Sequence, residues 1–369
     1  MKVAILGSKG VPARYGAFEE CAERLGLGLA RRGWDVTIWC PHSHEYREST
    51  YKGLVLRRAY LGPGVVGNVL YDVTSLLLAS FDDSDVVLML GHSSSPFCFI
   101  PRMFGQKVVI NTDGLEWRRS KWPGYVRAWL RMTERVATWT ANALVSDSEA
   151  IQAYYRRRYR AASHFIPYGA EIPAEVSGTD APVLLKRWGV SPQGYYVVVA
   201  RMEPENSIRE VVEGFLSART ARRLILVGPT TPFFECHVRP LLDGEDRVRY
   251  LGPIYKKEDL VFLRRHAFAY IHGHTVGGTN PVLLEAMAIG NSIIARGVPF
   301  NREVLKESGI FFTTPGHLSQ VIAEVEAWKP DEHRRRARQN LGRVKSLYNW
   351  ERVTRVYEEL FHSLVRRGR

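Results

Sequence analysis

One segment of the chain combines glycines, a helix-capping residue and an acid in a spacing suited to binding an anion. It reads HGHTVGGTNPVLLEAMAIG over residues 272–290. Asn280 is a good N-cap, and Pro281 suits the first position of the helix that follows. That helix dipole favours an anion by about 0.3–1 kcal/mol. The residues expected to meet the anion are Gly277, Gly278, Thr279 and Asn280.

Glu285 lies one turn into the same predicted helix, between Leu284 and Ala286. There its carboxylate could accept hydrogen bonds from hydroxyl groups of a ligand. The alternative is a surface acid near the favourable end of a helix dipole. The apolar neighbours favour the binding role, so Glu285→Gln is expected to weaken ligand binding with little effect on folding.

Arg201 follows the strand predicted over Tyr195–Ala200. A guanidinium at the carboxyl end of a strand could clamp a phosphate with two hydrogen bonds. The alternative is a salt bridge between domains.

A third glycine-containing loop, GSKGVPARYGA, follows the first predicted strand and contains Gly7, Gly10 and Gly16. Glycines let a backbone come close to a ligand. The spacing is not the G-x-G-x-x-G of dinucleotide folds, and the second strand ends in Trp39-Cys40-Pro41 instead of an acid. A nicotinamide site is therefore a minor alternative, as is a simple tight turn.

The segment NTDGLEWRRSKW, residues 111–122, places polar, aromatic and basic side chains after another predicted strand. Asp113 and Glu116 could hold sugar hydroxyls. The mixture of rings and cations that follows could meet an acceptor phosphate or a lipid surface. A capping turn with a solvated helix start is equally compatible. The residues on this side are Glu116, Trp117, Arg118, Arg119 and Lys121.

Short β-branched runs alternate with helical patterns along the whole chain, which predicts α/β domains with parallel sheets. Strands are predicted, among others, over Val86–Leu90, Lys107–Asn111, Ala143–Ser146 and Arg223–Val227. The stretch EIPAEVSGTDAP interrupts the alternation. We therefore predict two doubly wound, Rossmann-like domains, 1–178 and 183–349, facing across a cleft. A final helix over 350–369 is expected to pack back on the first domain. Ligands should bind beyond the carboxyl ends of the strands.

Composition excludes several classes of protein. The chain has 369 residues, 45% of them apolar, and a net charge of +13. No nucleic-acid recognition motif accompanies the charge, and no apolar run is a good spanning helix. His272 and His274 are not spaced for zinc, and the acids of Asp82-Asp83-Ser84-Asp85 precede a strand, at the edge away from the predicted site. No metal or other cofactor is expected.

Three stretches together resemble the family 4 glycosyltransferases of GT-B fold, in particular the rhamnosyltransferase-like subgroup with a DUF1972-type N-terminal domain. They are GSKGVPARYGAFEE, NTDGLEWRRSKW, and HGHTVGGTNPVLLEAMA followed by GVPFNREVL. Their order along nearly the whole chain carries the resemblance.

The resemblance implies roles by position. Gly16 and its neighbours match a loop that meets the donor diphosphate and the acceptor. Arg201 matches the basic residue that stabilises the leaving phosphate, and Glu285 the second acid of a Glu-x7-Glu motif that binds ribose. Asp113 falls where many relatives have a histidine near the transferred sugar.

Three departures from the family pattern bear on the donor site. Gly277 replaces the first acid of Glu-x7-Glu, Asn206 replaces the usual lysine, and Ala17 replaces the second glycine of a Gly-Gly pair. Candidates for the missing cation are Lys9, Arg14 and Arg209.

The resemblance implies a retaining, metal-independent glycosyltransferase that moves a sugar, with rhamnose from dTDP-rhamnose as the expected donor. The acceptor would be a lipid-linked glycan in surface polysaccharide biosynthesis. The expected location is the cytoplasm, peripheral on the inner face of an anionic membrane. The alternatives are a GT-B sugar-nucleotide epimerase and a non-catalytic protein that binds nucleotide sugar or glycan.

Overall fold

A computed structural model describes residues 1–13, 16–60, 64–174 and 181–366, with side chains at 65 and 181–184 left out. The chain divides into two compact units. Unit 1 comprises Met1–Gly169 and Leu347–Arg369, and unit 2 comprises Ala170–Ser346. The domain boundary that the sequence predicts at 178 lies outside the described residues.

Unit 1 is a sheet with helices on both faces. Its strands are β1 (Lys2–Leu6), β2 (Asp35–Pro41), β3 (Thr50–Tyr51), β4 (Leu54–Ala59), β5 (Val86–Leu90), β6 (Lys107–Asn111), β7 (Ala143–Ser146) and β8 (His164–Phe165). Their order is β3-β4-β2-β1-β5-β6-β7-β8, and every described pair except β3–β4 is parallel. The central strand β5 is buried at every residue, as expected for a parallel strand covered on both faces.

The helices of unit 1 bury apolar stripes against this sheet. They are α1 (Ala17–Arg31), α2 (Gly64–Phe81), α3 (Phe99–Met103), α4 (Gly124–Thr140) and α5 (Glu149–Tyr159), joined by the terminal helix, which we label α14 (Trp350–Arg366). One core cluster contains Tyr71 of α2, Ala137 of α4 and Ile151 of α5 with Val87 of β5. Helices α2, α4 and α5 therefore lie on the same face of the sheet.

Helix α14 packs on α1 within unit 1. A Cβ at Gly28 would lie 2.4 Å from the hydroxyl oxygen of Thr354, so glycine permits this close approach. Arg32 forms ion pairs with Glu351 and Glu358. The fold thus joins the last described helix to the first.

Unit 2 repeats the parallel arrangement. Its strands are β9 (Tyr195–Val199), β10 (Arg223–Val227), β11 (Val248–Tyr250), β12 (Ala269–His272), β13 (Ile293–Arg296) and β14 (Gly309–Phe312). Its helices are α6 (Ala181–Trp188), α7 (Ile208–Ser217), α8 (Pro232–His237), α9 (Lys257–His266), α10 (Pro281–Ile289), α11 (Pro299–Leu305), α12 (Pro315–Glu326) and α13 (Pro330–Ser346). The strand order β11-β10-β9-β12-β13-β14 reverses direction between β9 and β12.

The prediction of an α/β fold with two Rossmann-like domains is confirmed, and one element differs from it. The hairpin of β3 and β4 interrupts the strand–helix alternation that the sequence suggests. Lys52 and Gly53, both with positive φ, form its two-residue turn. A glycine at the second turn position is the usual signal for such a hairpin.

Candidate functional site

The site in unit 2 is built where the strand order reverses. Ligands of open α/β sheets bind at such points, beyond the carboxyl ends of the strands. Strands β9 and β12 are neighbours there, so the segments 200–206 and 273–280 leave the sheet side by side.

These two segments are fastened to each other. The backbone N–H and the hydroxyl of Thr275 both donate to the carbonyl oxygen of Glu205, each at 2.8 Å. A Cβ at Gly273 would lie 2.1 Å from the carbonyl oxygen of Asn206. The contacts bring the Arg201 segment and the loop before α10 into one surface.

Helix α10 begins as the sequence predicts. Asn280 is the N-cap, and its side-chain oxygen accepts a hydrogen bond from the N–H of Val282 at 3.0 Å. Pro281 occupies the first helical position, and Gly290 closes the helix in the left-handed conformation. Gly277, with φ of 132°, takes a conformation that disfavours other residues. Gly278 and Thr279 are buried at the turn into the helix.

Arg201 stands on this surface with about a third of its side chain exposed. Its Nη1 lies 3.6 Å from a carboxylate oxygen of Glu203. Asn206, 4% exposed, donates from its side chain to the carbonyl oxygen of Arg201 at 2.7 Å. The Asn206 amide therefore shapes the loop that carries Arg201.

Glu285 is partly exposed, and its carboxylate pairs with Arg264, a buried residue that the sequence analysis does not single out. Nη1 of Arg264, at the end of α9, donates to the Glu285 carboxylate at 2.7 Å. The side chain of Arg264 is 2% exposed and that of Glu285 is 35% exposed. One edge of the carboxylate is thus fixed while part of the side chain reaches solvent.

The fixed carboxylate changes an expectation from the sequence. Replacing Glu285 by glutamine was expected to have little effect on folding. Since breaking a buried ion pair leaves an uncompensated charge, a loss of stability is expected instead. Nothing in the local sequence around 264 indicates this pairing, because the partners are 21 residues apart and meet only in the fold.

His272 is the last residue of β12, and His274 lies two residues beyond it in the loop before α10. The rings of His272 and His274 stack at 4.3 Å. Burial lowers the pKa of His272 well below its ordinary value, which keeps that ring neutral. Among the described residues no three His, Cys, Asp or Glu side chains are grouped to hold a metal. Metal independence stays a prediction.

In unit 1, two acids of α1 accept hydrogen bonds from the backbone of the glycine loop that joins β1 to α1. The N–H of Lys9 donates to the carboxylate of Glu19 at 2.8 Å, and the N–H of Ala13 donates to that of Glu23 at 2.6 Å. Gly16, the N-cap of α1, has φ of 127°, and a Cβ there would meet the Glu19 carboxylate. Ala17 begins the helix.

The three candidate cations are placed differently. Lys9 belongs to this glycine loop, and Arg14 lies outside the described residues. Arg209 pairs along α7 with Glu213 at 2.8 Å. None of these contacts assigns one of them to the role of the absent lysine.

Asp113 follows β6 in a left-handed conformation, with φ of 56°. The side-chain oxygen of Asn111 accepts from the Asp113 N–H at 3.0 Å. Burial, and then the nearby Glu116 carboxylate, raise the pKa of Asp113 to about 6. The acid can therefore change its charge near neutral pH.

The charged and aromatic side chains after Asp113 contact one another within residues 116–122. Glu116 accepts hydrogen bonds from Arg119 and Trp122 and pairs with Lys121 at 3.4 Å. The guanidinium of Arg118 lies 5.3 Å from the ring centroid of Trp117. The basic residues predicted to face an acceptor or membrane thus have partners within their own segment.

His92, two residues beyond the end of β5, is a second buried residue that the sequence analysis does not single out. Its Nδ1 lies 3.1 Å from the hydroxyl oxygen of Thr133, and its Nε2 lies 4.0 Å from the Glu134 carboxylate. Burial lowers the pKa of His92 to about 4, so the ring is neutral. Its position directly after a buried strand was the available signal.

Asp83 and Asp85 lie at the edge of the sheet where β1 begins, away from the glycine loop, as the sequence predicts. The backbone N–H of Lys2 donates to Asp85 at 2.8 Å, and its ammonium donates to Asp83 at 2.9 Å. Both contacts are at the start of β1, whereas the glycine loop follows its end.

Comparison with known proteins fits this architecture. Residues 1–171 match the family model "Domain of unknown function (DUF1972)", and residues 186–343 match "Glycosyl transferases group 1". Sucrose-phosphate synthase of Thermosynechococcus elongatus superposes with a TM-score of 0.79 at 18% identity, covering 98% of both chains. HepE of Anabaena, in complex with UDP, gives 0.77 at 16% identity, over 98% of this chain and 100% of that chain.

Curated relatives share shorter stretches. O-antigen chain mannosyltransferase B of Escherichia coli is 25% identical over 181 residues, 46% of each chain. Glycosyltransferase 1 domain-containing protein 1 of Xenopus tropicalis is 28% identical over 148 residues, 39% of this chain and 42% of that one. The chain spans less than half the length of these relatives. Two family models thus match successive parts of this chain, each over less than half of it, and the solved neighbours share its fold of two Rossmann-like domains.

Proposed function

We propose that the protein is a retaining family 4 glycosyltransferase that moves rhamnose from dTDP-rhamnose to a lipid-linked glycan in surface polysaccharide biosynthesis. The main observation in favour of sugar transfer is the pair of hydrogen bonds from Thr275 to the Glu205 carbonyl oxygen. They hold the Arg201 segment against the loop before α10, within the region that matches the group 1 glycosyltransferase model. Solved neighbours with this fold bind UDP or UDP-glucose, which supports a nucleotide-sugar donor.

In this proposal the donor diphosphate lies at the N-terminus of α10, beside Arg201. Backbone amides and the helix dipole favour the anion there. Glu285, fixed by Arg264, accepts hydrogen bonds from the ribose hydroxyls. As the glycosidic bond breaks, negative charge grows on the diphosphate, and Arg201 stabilises it more in the transition state than in the bound donor.

The first test is transfer and binding with a set of nucleotide sugars. Bound donor should raise the melting temperature, since a ligand at 100 times its dissociation constant adds about 2.7 kcal/mol to stability. dTDP-rhamnose should give the largest shift and a product with retained anomeric configuration. A product formed from donor alone with a changed sugar would indicate an epimerase. Binding with no turnover would indicate a non-catalytic protein.

The second test is Arg201→Ala. The rate of transfer should fall by about 10²–10³, as for loss of one donor to a developing anion, with a smaller change in donor affinity. Folding should be retained because the side chain is partly exposed. Equal losses in affinity and rate would contradict this role.

The third test concerns metal. Activity should survive a chelator, because the proposal gives charge neutralisation to Arg201 and the helix N-terminus. Inactivation that added magnesium or manganese reverses would overturn that part of the proposal.

A further inference from the structure

The terminal helix α14 buries one face within unit 1. That face consists of Trp350, Thr354, Tyr357 and Phe361, at the three- and four-residue spacing of a helical stripe, and each is at most 9% exposed. The described helices, α14 among them, include none that is long and apolar enough to cross a membrane. Burial raises the pKa of the Tyr357 phenol well above its ordinary value, so its hydroxyl is neutral. A buried hydroxyl of this kind needs a hydrogen-bond partner.

The partner of the Tyr357 hydroxyl is the side chain of Asn111, the last residue of β6. The Asn111 Nδ2 donates to the Tyr357 hydroxyl oxygen at 3.2 Å, and the Asn111 Oδ1 accepts from the Asp113 N–H at 3.0 Å. Because a backbone N–H can only donate, the amide oxygen must face Asp113 and the amide nitrogen must face the tyrosine. Two hydrogen bonds in series therefore join α14 to the backbone of Asp113.

The backbone of Asn111 is fixed by the sheet, so its side chain is the part that Tyr357 orients. The Asn111 carbonyl oxygen accepts from the Gly91 N–H at 2.9 Å, and the residue pairs in register with Leu90 of β5 and Val145 of β7. Asn111 is 1% exposed, so water cannot readily take the place of the phenol. Loss of the hydroxyl should therefore free the amide to turn.

The orientation of this amide matters because Asp113 adopts a backbone conformation that is unfavourable for most residues. Its φ of 56° lies in the left-handed region. A hydrogen bond from an asparagine side chain to the backbone two residues further on stabilises such a turn. The Asn111 amide thus holds the turn that sets the direction of the Asp113 side chain.

The pKa of Asp113 reports on this turn. Burial and Glu116 raise it, whereas Arg119 and Lys121 lower it, and the buried phenol of Tyr168 lies within electrostatic range. These effects depend on how deeply the carboxyl is buried and on its distances to the charged groups. A change in the turn should therefore change the pKa.

We propose that Tyr357 is a positioning residue for Asp113: through the Asn111 amide it holds the turn that presents the acid for sugar transfer. A residue near the end of the chain thus sets the geometry of an acid that follows β6. The inference rests on the proposed function for the use of Asp113 in transfer. The positioning itself can be measured without activity.

The experiment compares Tyr357→Phe and Asn111→Ala with the wild type, each as the full chain. Phenylalanine removes the hydroxyl and keeps the ring, whose centroid lies 5.7 Å from that of Phe361. The first measurement is titration of Asp113 by NMR of the aspartate carboxyl carbons, with the signal assigned by its loss in Asp113→Asn. The second is the rate of sugar transfer together with donor affinity.

Both single variants should change both measurements. The midpoint of Asp113 should fall from about 6 towards its ordinary 3.8, by about one unit, because the freed turn exposes the carboxyl to water. The rate of transfer should fall by about tenfold through misplacement of the acid, with donor affinity unchanged. Since the two hydrogen bonds act in series, the double variant should be no worse than either single variant.

Two control variants separate positioning from general loss of stability. Tyr195→Phe removes a buried phenol hydroxyl in unit 2, which donates to the Leu263 carbonyl oxygen at 2.5 Å. Arg32→Gln weakens the packing of α14 by removing its ion pairs with Glu351 and Glu358. Both controls should keep the wild-type midpoint of Asp113 and the wild-type rate.

Three results would overturn the proposal: an unchanged Asp113 midpoint in Tyr357→Phe, additive losses in the double variant, or an equal midpoint shift in Arg32→Gln. The last would assign the effect to loosening of the whole helix. Circular dichroism and thermal melting confirm that the variants fold. If the wild type transfers no sugar, the proposed function fails, while the midpoint of Asp113 still decides whether Tyr357 positions the acid.

Discussion

Glu116 of unit 1 and Glu285 of unit 2 both follow a strand that leads into a candidate site, but they are held in different ways. Glu116 is bound by Arg119, Lys121 and Trp122 from its own segment. Glu285 is bound by Arg264, a buried residue of another helix. An acid held by its own segment needs no tertiary structure for its pairing, whereas an acid held across helices makes the fold and the site depend on the same contact.

The largest effect that tests this contrast is expected at the Arg264–Glu285 pair. Glu285→Met and Arg264→Met should each lower the free energy of unfolding. Glu285→Met leaves Arg264 buried and unpaired, so it should lower the free energy of unfolding by about 3 kcal/mol. The double variant should regain much of that loss, since apolar residues of similar volume can replace such a pair. Denaturant unfolding measures the cycle.

Donor affinity separates stability from function in the same variants. The double variant should stay weak in donor binding although it is stable, because Glu285 is absent. Recovery of affinity together with stability would show that Glu285 has only a structural role. As the matched comparison, Glu116→Gln should lower stability by less than 1 kcal/mol, because its partners are partly exposed.

The second prediction concerns Asp113. Its folded pKa of about 6 lies above its ordinary 3.8, so the folded state binds more protons than the unfolded state between these values. Stability from this group is therefore greatest at low pH and falls as pH rises from about 4 to about 6. Asp113→Asn, which tolerates the left-handed conformation, should remove this decline.

Thermal melting of both proteins across that pH range is the measurement, with the difference in melting temperature favouring the variant increasingly as pH rises. A difference that stays constant with pH would contradict the raised pKa. If the ionised carboxylate also serves transfer, the wild-type rate should rise through pH 6.

The third prediction concerns Asn206, where a smaller effect than at the Arg264–Glu285 pair is expected. Asn206→Ala removes the hydrogen bond to the Arg201 carbonyl and should lower stability by about 1 kcal/mol. The rate of transfer should fall less than in Arg201→Ala, since the guanidinium remains. Asn206→Lys should not improve donor affinity, because a buried position penalises the added charge. A gain of affinity in Asn206→Lys would show that the side chain can reach the donor.

The sequence predicts most of the fold because each signal is local. Periodicity places β5, β6, β7 and β10 at their observed bounds, and the Asn280–Pro281 pair places the start of α10. The β3–β4 hairpin was missed because its strands are short and its turn signal is a single glycine, Gly53.

The site is less predictable, since its contacts join distant residues. Sequence places Arg201 and the α10 loop after strands, but the strand order that makes β9 and β12 neighbours comes from the fold. The burial of Arg264 and His92 depends on that packing too. The part played by Asn206 in supporting Arg201 also needs the loop geometry.

The packing of α14 on α1 has a consequence for protein synthesis. Unit 2 is contiguous in the chain, so it can fold once residue 346 has left the ribosome. Unit 1 needs α14 to cover Gly28 and to pair with Arg32, although its sheet is translated first. Domains usually complete folding in the order of their synthesis. Here unit 1 is the first to be synthesised but the last to be completed. Its α1 surface stays uncovered on the nascent chain until α14 has been synthesised.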